Sequence, residues 1–390
     1  MRNLHNFKHI FLCIPYKVSV FSCCFCNFLL RCKAKYAILK SRNRLSRREL
    51  RRQMVSLKDI ANKCGVSVAT VSKALNDQPD VGPETRDKIK NLADELGYFT
   101  NSAARALKTN RTHNLGVLFV DEGHRGLTHE FFAALLNSFK EEAELEGYVI
   151  TFINNRNVGG KKTTYLQHCL YRGVDGLLIA CVDFFDSQIQ EVVNSSLPLV
   201  TIDHVFNNRA AVMSDNVGGV ETLVSYAYEM GHRKIAFIYG EPTAVTENRK
   251  IGFHRACEKL GLAIPEGYLV ESKYYDSEDC YGVTAEMLAL PDRPTCILFP
   301  DDFSLTGGVR AIRDAGLTIP DDISVMGYDG IITSQLMSPK ITTLQQDTDR
   351  LGKEAAKKLI ELIERPKTAL LDRILVPGKL LPGESVRKLV

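Results

Sequence analysis

Four carboxylates and one guanidinium recur at one kind of place in this sequence, just after a short apolar run. Asp203 follows 199–202, Asp301 and Asp302 follow 295–299, and Asp329 follows 323–327. Arg249 is expected in a loop after 234–240, just before a helix at Gly252-Phe253. Carboxylates and an Arg fork suit the hydroxyls of a sugar, and Phe131, Phe132 or Tyr275 offers an apolar face for its ring. Strand-end carboxylates equally cap the helices that follow them. The residues alone leave the two readings open.

A second constellation lies nearer the N-terminus. Ala69, Ser72, Lys73 and Asn76 fall at i, i+3, i+4 and i+7 and form one small-polar and cationic stripe of a helix. Val71 and Leu75 face the other way, and Ser67 caps the start. A preceding helix begins at Ser56, with Asp59 three residues on to complete a capping box. Leu57, Ile60, Ala61 and Cys64 supply its core face, Gly65 ends it, and Val66 plugs the turn. A third helix starts at Pro83, presents Ile89, Leu92, Ala93 and Leu96 inward, and stops at Gly97. Two short helices joined by a tight Gly turn, the second with such a face, are what the DNA major groove admits. An ordinary three-helix unit with a solvated stripe shares the pattern.

Catalytic chemistry finds no comparable support. Gly159-Gly160-Lys161-Lys162 lacks the glycine spacing of a phosphate loop, and no Ser sits in a nucleophile elbow. The nine histidines are dispersed. Cys23, Cys24 and Cys26 have no second Cys or His pair at zinc-ligand spacing. No enzyme activity, cofactor or metal is expected.

These residues must be positioned by more than one structural unit. The chain has 390 residues, 45% hydrophobic and 25% charged, which is globular composition with room for a large core. Its net charge of +4 hides an asymmetry: residues 1–53 carry +12 and the remainder about −8. Any nucleic-acid role must therefore rest on placement rather than bulk charge. Five of the 11 cysteines fall in the first 32 residues, and the others are scattered in apolar runs, as suits a reducing cytosol. Residues 9–30 are apolar but interrupted, short of a clean membrane span and without a convincing cleavage site. A third reading is that 1–53 is not translated, because Met54 directly precedes the first patterned helix and Arg51-Arg52 can be encoded by a purine-rich ribosome-binding run. The segment is expected to be a basic, Cys-rich extension, disordered or a mis-assigned start.

Residues 101–109 are mostly helix formers, yet the stretch is shorter than the ~12–15 residues an isolated helix needs. It is expected to be helical only with support. Beyond it, apolar runs at 115–120, 148–153, 176–180, 199–202, 234–240, 295–299 and 323–327 alternate with helical segments such as 131–146, 220–230 and 303–315. That alternation predicts parallel sheets covered on both faces, and its length predicts two subdomains.

The stretch Val55-Ser56-Leu57-Lys58-Asp59-Ile60-Ala61, then 64–76 beginning Cys64-Gly65-Val66-Ser67, closely resembles the head of the LacI/GalR repressor family. So do Val81 through Thr85-Arg86, and Leu96-Gly97-Tyr98. The resemblance implies base-reading positions at Val68, Ala69 and Lys73, with Lys73 donating to guanine O6/N7. It implies that Ser56, Ser67, Thr70, Ser72 and Asn76 position the head on phosphates. Residues 101–109 look like the family's hinge helix, with Leu107 as a wedge between bases at the operator centre, Arg105 and Lys108 flanking it, and Asn101 and Ala104 near the backbone. Arg249 through Phe253, Pro300-Asp301-Asp302 and Ile323 through Asp329 resemble its effector domain, itself similar to periplasmic sugar-binding proteins. By position, Asp203, Arg249, Asp301, Asp302 and Asp329 are then effector contacts. Gly82 stands where the family usually has a capping Ser, Thr100 where it often has Pro, and Asp301 where it often has Asn.

The expected architecture is an all-α helix-turn-helix head (54–99) and a hinge helix with linker (100–113), followed by an α/β periplasmic-binding-protein-like domain (114–390) of two Rossmann-like parallel-sheet subdomains. The N-subdomain takes about 114–212 plus 344–373 and the C-subdomain about 213–343 plus 374–390. The expected function is a cytoplasmic, nucleoid-associated transcriptional repressor of carbohydrate-utilisation genes. Its partners are near-palindromic double-stranded operator DNA, a sugar-like small-molecule effector and a second copy of the chain; no membrane partner is expected. A sugar-binding transport component, with residues 1–30 as its export signal, is the alternative of a different class; it leaves 54–109 unexplained.

Overall fold

The computed structural model describes residues 55–98, 111–120, 126–155, 157–158 and 161–389. The chain divides into two units, one up to Asn101 and one from Ser102. Expectations for 1–54 and for the hinge residues Asn101, Ala104, Arg105, Leu107 and Lys108 lie outside the described residues.

The first unit is three short helices. Helix α1 (Leu57–Cys64) opens on a complete Ser56/Asp59 capping box and closes on Gly65, whose φ of 71° places it in the left-handed region. Helix α2 (Val68–Leu75) is capped by Ser67, which accepts from the Thr70 amide, and Asn76 is its C-cap rather than a helical residue. Helix α3 (Pro83–Glu95) carries Pro at its first turn, and Gly82 gives it no side-chain cap. Ile60, Ala61, Val71, Ala74, Val81, Ile89 and Ala93 form the core between them.

The second unit holds two six-stranded sheets. Its first half runs β1 (Asn114–Phe119), α4 (Glu130–Leu145), β2 (Val149–Ile153), a small hairpin of β3 (Asn157–Val158) and β4 (Lys161–Lys162), α5 (Tyr165–Arg172), β5 (Gly176–Cys181), α6 (Ser187–Val193), β6 (Leu199–Ile202) and β7 (Ala210–Ser214). The chain then continues as α7 (Asn216–Glu229), β8 (Ile235–Tyr239), α8 (Ala244–Leu260), β9 (Leu269–Glu271), α9 (Ser277–Leu288), β10 (Cys296–Leu298), α10 (Leu305–Asp314), β11 (Ser324–Asp329), α11 (Ile332–Leu336) and β12 (Thr342–Gln345). It finishes with α12 (Thr348–Glu364), β13 (Arg373–Val376) and β14 (Lys379–Leu381).

One sheet has the order β13-β7-β6-β5-β1-β2, with every pair parallel. The other has the order β14-β12-β11-β10-β8-β9, parallel except for the β12–β14 pair. Each strand feeds both faces by its two-residue period. On β5, Leu178 and Ala180 enter the layer built with α4 and α12, while Leu177 and Ile179 enter the layer built with α5 and α6. The second sheet is covered in the same way, by α7 and α8 on one face and α9 and α10 on the other.

The chain passes between the sheets after β7, after β12 and after β13. The expected subdomain boundaries at 212, 343 and 373 fall short of these passages, because β7 runs on to Ser214, β12 to Gln345 and β13 to Val376. Cross-strand partners hold those last residues in the ladder: Ser214 is paired with Val376 and Gln345 with Asp329.

Candidate functional site

The helix-turn-helix unit presents its polar stripe to solvent. Val68, Ala69, Lys73 and Asn76 are exposed and Ser72 is half-buried, whereas Val71 and Ala74 on the opposite side of α2 are fully buried. Ser67 and Thr70 share a hydroxyl–hydroxyl hydrogen bond of 2.9 Å beside the cap. The Asn76 amide turns back to the Ser72 carbonyl. Ser56 is already engaged: its hydroxyl donates to the Asp59 carboxylate at 2.7 Å, which helps to hold that carboxyl below the usual range. Between 55 and 98 the sequence carries seven carboxylates against six Lys and Arg. The head as a whole therefore carries no excess of positive charge.

The second unit gathers most of the candidate acids, but in two different roles. Arg249 is not in a loop, as the sequence reading expected, but inside α8. The helix starts early because Thr243 accepts from the Thr246 amide and nothing breaks the run that follows. Arg249 is 4% exposed. Its Nε donates to Asn216 Oδ1 at 2.8 Å and one terminal nitrogen donates to the Pro300 carbonyl at 2.7 Å. The other terminal nitrogen is 3.8 Å from Asp329 Oδ1, an ion pair too long to be a direct hydrogen bond. The guanidinium lies over the Tyr328 ring, 3.6 Å from its centroid, and 5.6 Å from that of Tyr274.

Asp329 ends β11 at φ 100° and accepts from the Gln346 amide at 2.7 Å. Burial pushes its carboxyl up to about 6, against the pull of Arg249. Asp203 stands at the end of β6, in the other sheet, also at positive φ. It accepts from the Ser214 amide at 2.6 Å and from the Ser214 hydroxyl at 3.1 Å. Burial likewise pushes it up to about 6, and Arg249 opposes the shift. Asp203 adds to the rise at Asp329 through charge repulsion, and Arg249 opposes the shift of both, so the carboxyl ends of the two sheets share one electrostatic site. Gln346 Oε1 is buried in this site with no hydrogen-bond partner among the described residues.

Asp301 and Asp302 do different work. Asp301 accepts from the Tyr275 amide and from both the amide and the hydroxyl of Ser304, and so anchors the turn into α10. Asp302 is fully buried. One of its oxygens accepts from the Ile331 amide and the Ser334 hydroxyl, the other from the Thr343 hydroxyl. Burial pushes its carboxyl up to about 8 although these donors favour the anion. A Cβ on Gly327 would lie 1.9 Å from Asp302 Oδ1, so a glycine is required where the carboxylate passes β11. Asp302 is thus a strut across three chain segments.

The aromatic candidates also divide. Phe131 belongs to the core under α4, whereas Phe132 is half-buried, 5.2 Å from the Phe119 ring. Tyr275 is sandwiched: Phe303 stacks on it at 4.5 Å and His129 at 3.9 Å. Its hydroxyl accepts from the Glu130 amide at 3.0 Å, and the Glu130 carboxylate accepts from the Ile332 amide at 2.6 Å. These contacts join the two sheets' subdomains at the start of α4. Asn216, Tyr274, Tyr328 and Gln346 went unread in the sequence. The period of β11 offered the one available signal, since Tyr328 neighbours Asp329 in a stretch already singled out. A groove of about 500 Å³ along α7, past Asp215, Thr222 and Pro377, contains none of the charged groups of the Arg249 cluster.

Among the described residues, no helix is long and apolar enough to cross a membrane, and no group of three or more His, Cys, Asp or Glu is placed to hold a metal ion.

A helix-turn-helix with an exposed polar recognition face, joined in one chain to two parallel-sheet subdomains that share a buried charge cluster, defines a ligand-sensing transcription regulator. Residues 56–101 match the model of bacterial regulatory proteins of the lacI family, and 224–386 match a periplasmic binding protein-like domain. The chain is 31% identical over 314 residues to the HTH-type transcriptional repressor PurR of Pasteurella multocida, covering 80% of this chain and 92% of that protein. It is 32% identical over 343 residues to the probable HTH-type transcriptional repressor ExuR of Bacillus subtilis, covering 86% and 99%. Among solved structures, the lac repressor dimer bound to operator and the anti-inducer ONPF superposes with a TM-score of 0.70 at 25% identity, over 86% of this chain and 99% of that one. A ribose-bound regulator of Enterococcus faecium gives a TM-score of 0.61 at 26% identity, over 71% and 100%. The chain belongs to the lacI family of transcriptional regulators.

Proposed function

We propose that this protein is a homodimeric, cytoplasmic, non-enzymatic repressor of carbohydrate-utilisation genes, whose grip on a near-palindromic operator is set by a sugar-like effector held between the two sheets. The observation that carries the effector class is the gap at Arg249. A distance of 3.8 Å between its free terminal nitrogen and Asp329 Oδ1 suits a bridging hydroxyl, which accepts from the one and donates to the other. Gln346 Oε1 and the carboxylates make the site rich in acceptors, the complement of a ligand rich in O–H groups. Phe132 supplies an apolar flank, and Tyr274 a phenol. Asp301 and Asp302 act behind this site rather than on the ligand. The relatives support the reading, since one neighbour holds ribose and another is a dimer on operator.

In the head, Val68, Ala69 and Lys73 read bases, and Ser56, Ser67, Thr70, Ser72 and Asn76 meet the backbone. Asn101, Ala104, Arg105, Leu107 and Lys108 form the hinge contacts, with Leu107 as the central wedge. Effector binding rotates one subdomain against the other and changes the spacing of the paired hinges.

A thermal-shift panel of mono- and disaccharides tests the effector class. A sugar that raises the Tm of the wild type and not of Asp329→Asn supports it; a panel in which none does, beside a non-sugar metabolite that does, overturns it. Leu107→Ala is expected to weaken operator binding more than binding to unrelated DNA, and equal losses remove the wedge role.

A further inference from the structure

The pair Lys73 and Asp80 stands on the recognition side of the head. The Lys73 ammonium, on α2, is hydrogen-bonded to the Asp80 carboxylate in the loop between α2 and α3. Both side chains are about half exposed, at 53% and 52%. Surface ion pairs usually hold neither partner firmly, but here the loop itself is fixed. Arg86 donates to the carbonyls of Gln78 and Val81 at 2.8 and 2.9 Å, the Gln78 amide donates back to the Lys73 carbonyl at 3.0 Å, and Val81 is buried in the head core. Lys90 secures Asp77 on the same loop at 2.6 Å. Asp80 is therefore offered to Lys73 from a clamped backbone.

An ammonium already paired with a carboxylate gains little from any single phosphate. Its direction is also restricted, and guanine presents O6 and N7 together at one place in the major groove. The geometry points to Asp80 as a positioning residue for specificity: it holds Lys73 towards one guanine-bearing base pair and suppresses the non-specific contacts that a free lysine makes. This rests on the reading of Lys73 as a base contact.

The test uses the full-length wild type, Asp80→Asn, Lys73→Gln and the double variant. The probe is a duplex selected from a random library by the wild type, together with its single-base-pair changes and an unrelated duplex titrated with salt. Lys73→Gln is expected to relax the preference at one base pair by about fivefold or more. Asp80→Asn is expected to relax the same base pair, and to steepen the salt dependence on unrelated DNA by roughly 0.9 in log–log slope for each head. In the Lys73→Gln background Asp80→Asn changes the base preference no further. Asp80→Glu, which keeps the carboxylate, restores the preference and guards against a variant that merely fails to fold. The inference is overturned if Asp80→Asn tightens every duplex equally and leaves the pattern intact, which is the behaviour of a bulk charge. It is also overturned if Lys73→Gln leaves the pattern unchanged, and that result removes the base-reading role of Lys73 itself.

Discussion

The head and the buried acids at the sheet ends use the same chemistry under opposite conditions. In both, short polar side chains accept from backbone amides: Ser67 from Thr70, Asp301 from Ser304, Asp302 from Ile331. In the head these groups stay at the surface, each with one or two local partners. At the sheet ends they are buried, and Asp302 answers three donors drawn from distant segments. A surface cap organises a helix and leaves its outer face free for DNA. A buried carboxylate has to be fully satisfied, because an unpaired donor far from water costs about 1–3 kcal/mol. The difference teaches that an acid at a strand end is assigned by counting its donors, not by its position.

Breaking the buried side of the comparison has the largest expected effect. Asp302→Ala strands the Ile331 amide and two hydroxyls, and is expected to lower stability by about 3 kcal/mol or more. Urea unfolding measures this, and a loss below about 1 kcal/mol would show that the strut is dispensable.

A pH series comes next. Asp203 and Asp329, each pushed up to about 6, keep their protons in the folded state at pH values where the unfolded chain has already lost them. The folded state then binds more protons between about pH 4 and 6, so stability falls as the pH rises through that window, and Asp302, pushed up to about 8, carries a shallower fall on to about pH 8. Asp329→Asn removes one of these three groups and is expected to flatten the slope between about pH 4 and 6. Unfolding at pH 5 and pH 7.5 compares the two proteins, and parallel profiles would count against the buried cluster.

The exposed side is milder. Ser67→Ala is expected to cost the head about 1 kcal/mol, read as faster amide exchange in α2. Gly82→Ser probes the smallest effect. The position has φ −56° and open space around a Cβ, and a hydroxyl there supplies the cap that α3 lacks, for a gain of a few tenths of a kcal/mol.

The same contrast explains what the sequence disclosed. The head was legible almost residue by residue, since Ser56 with Asp59 and Ser67 with Thr70 are three residues apart and their chemistry is local. The continuously apolar strands β1, β5 and β6 were legible for a similar reason. The strands β7, β9, β12, β13 and β14 were not: β9, β13 and β14 lie at sheet edges, β12 reads Thr-Thr-Leu-Gln, and β7 opens on two alanines and ends on a serine. Arg249 was visible as a residue and misplaced as an element, because Thr243 is an inconspicuous helix start. The division of labour among the acids was beyond reach: the partners that make Asp302 a strut lie 29, 32 and 41 residues away. Nothing local separates it from Asp329, whose charge faces Arg249.

The order of strands also bears on how the second unit is made by the ribosome. Strand β13 completes one sheet and β14 the other, and only Pro377 and Gly378 separate them. Helix α12, which supplies Leu351, Ala355 and Leu359 to the first core, is likewise translated after every strand of that sheet except β13. A nascent chain therefore cannot finish one subdomain and then begin the next, as beads on a string would. Each sheet waits, open at one edge, until synthesis has passed Val376 for the first and Leu381 for the second, so they close in quick succession. A premature stop anywhere before Arg373 leaves two unfinished sheets rather than one sound domain and one missing.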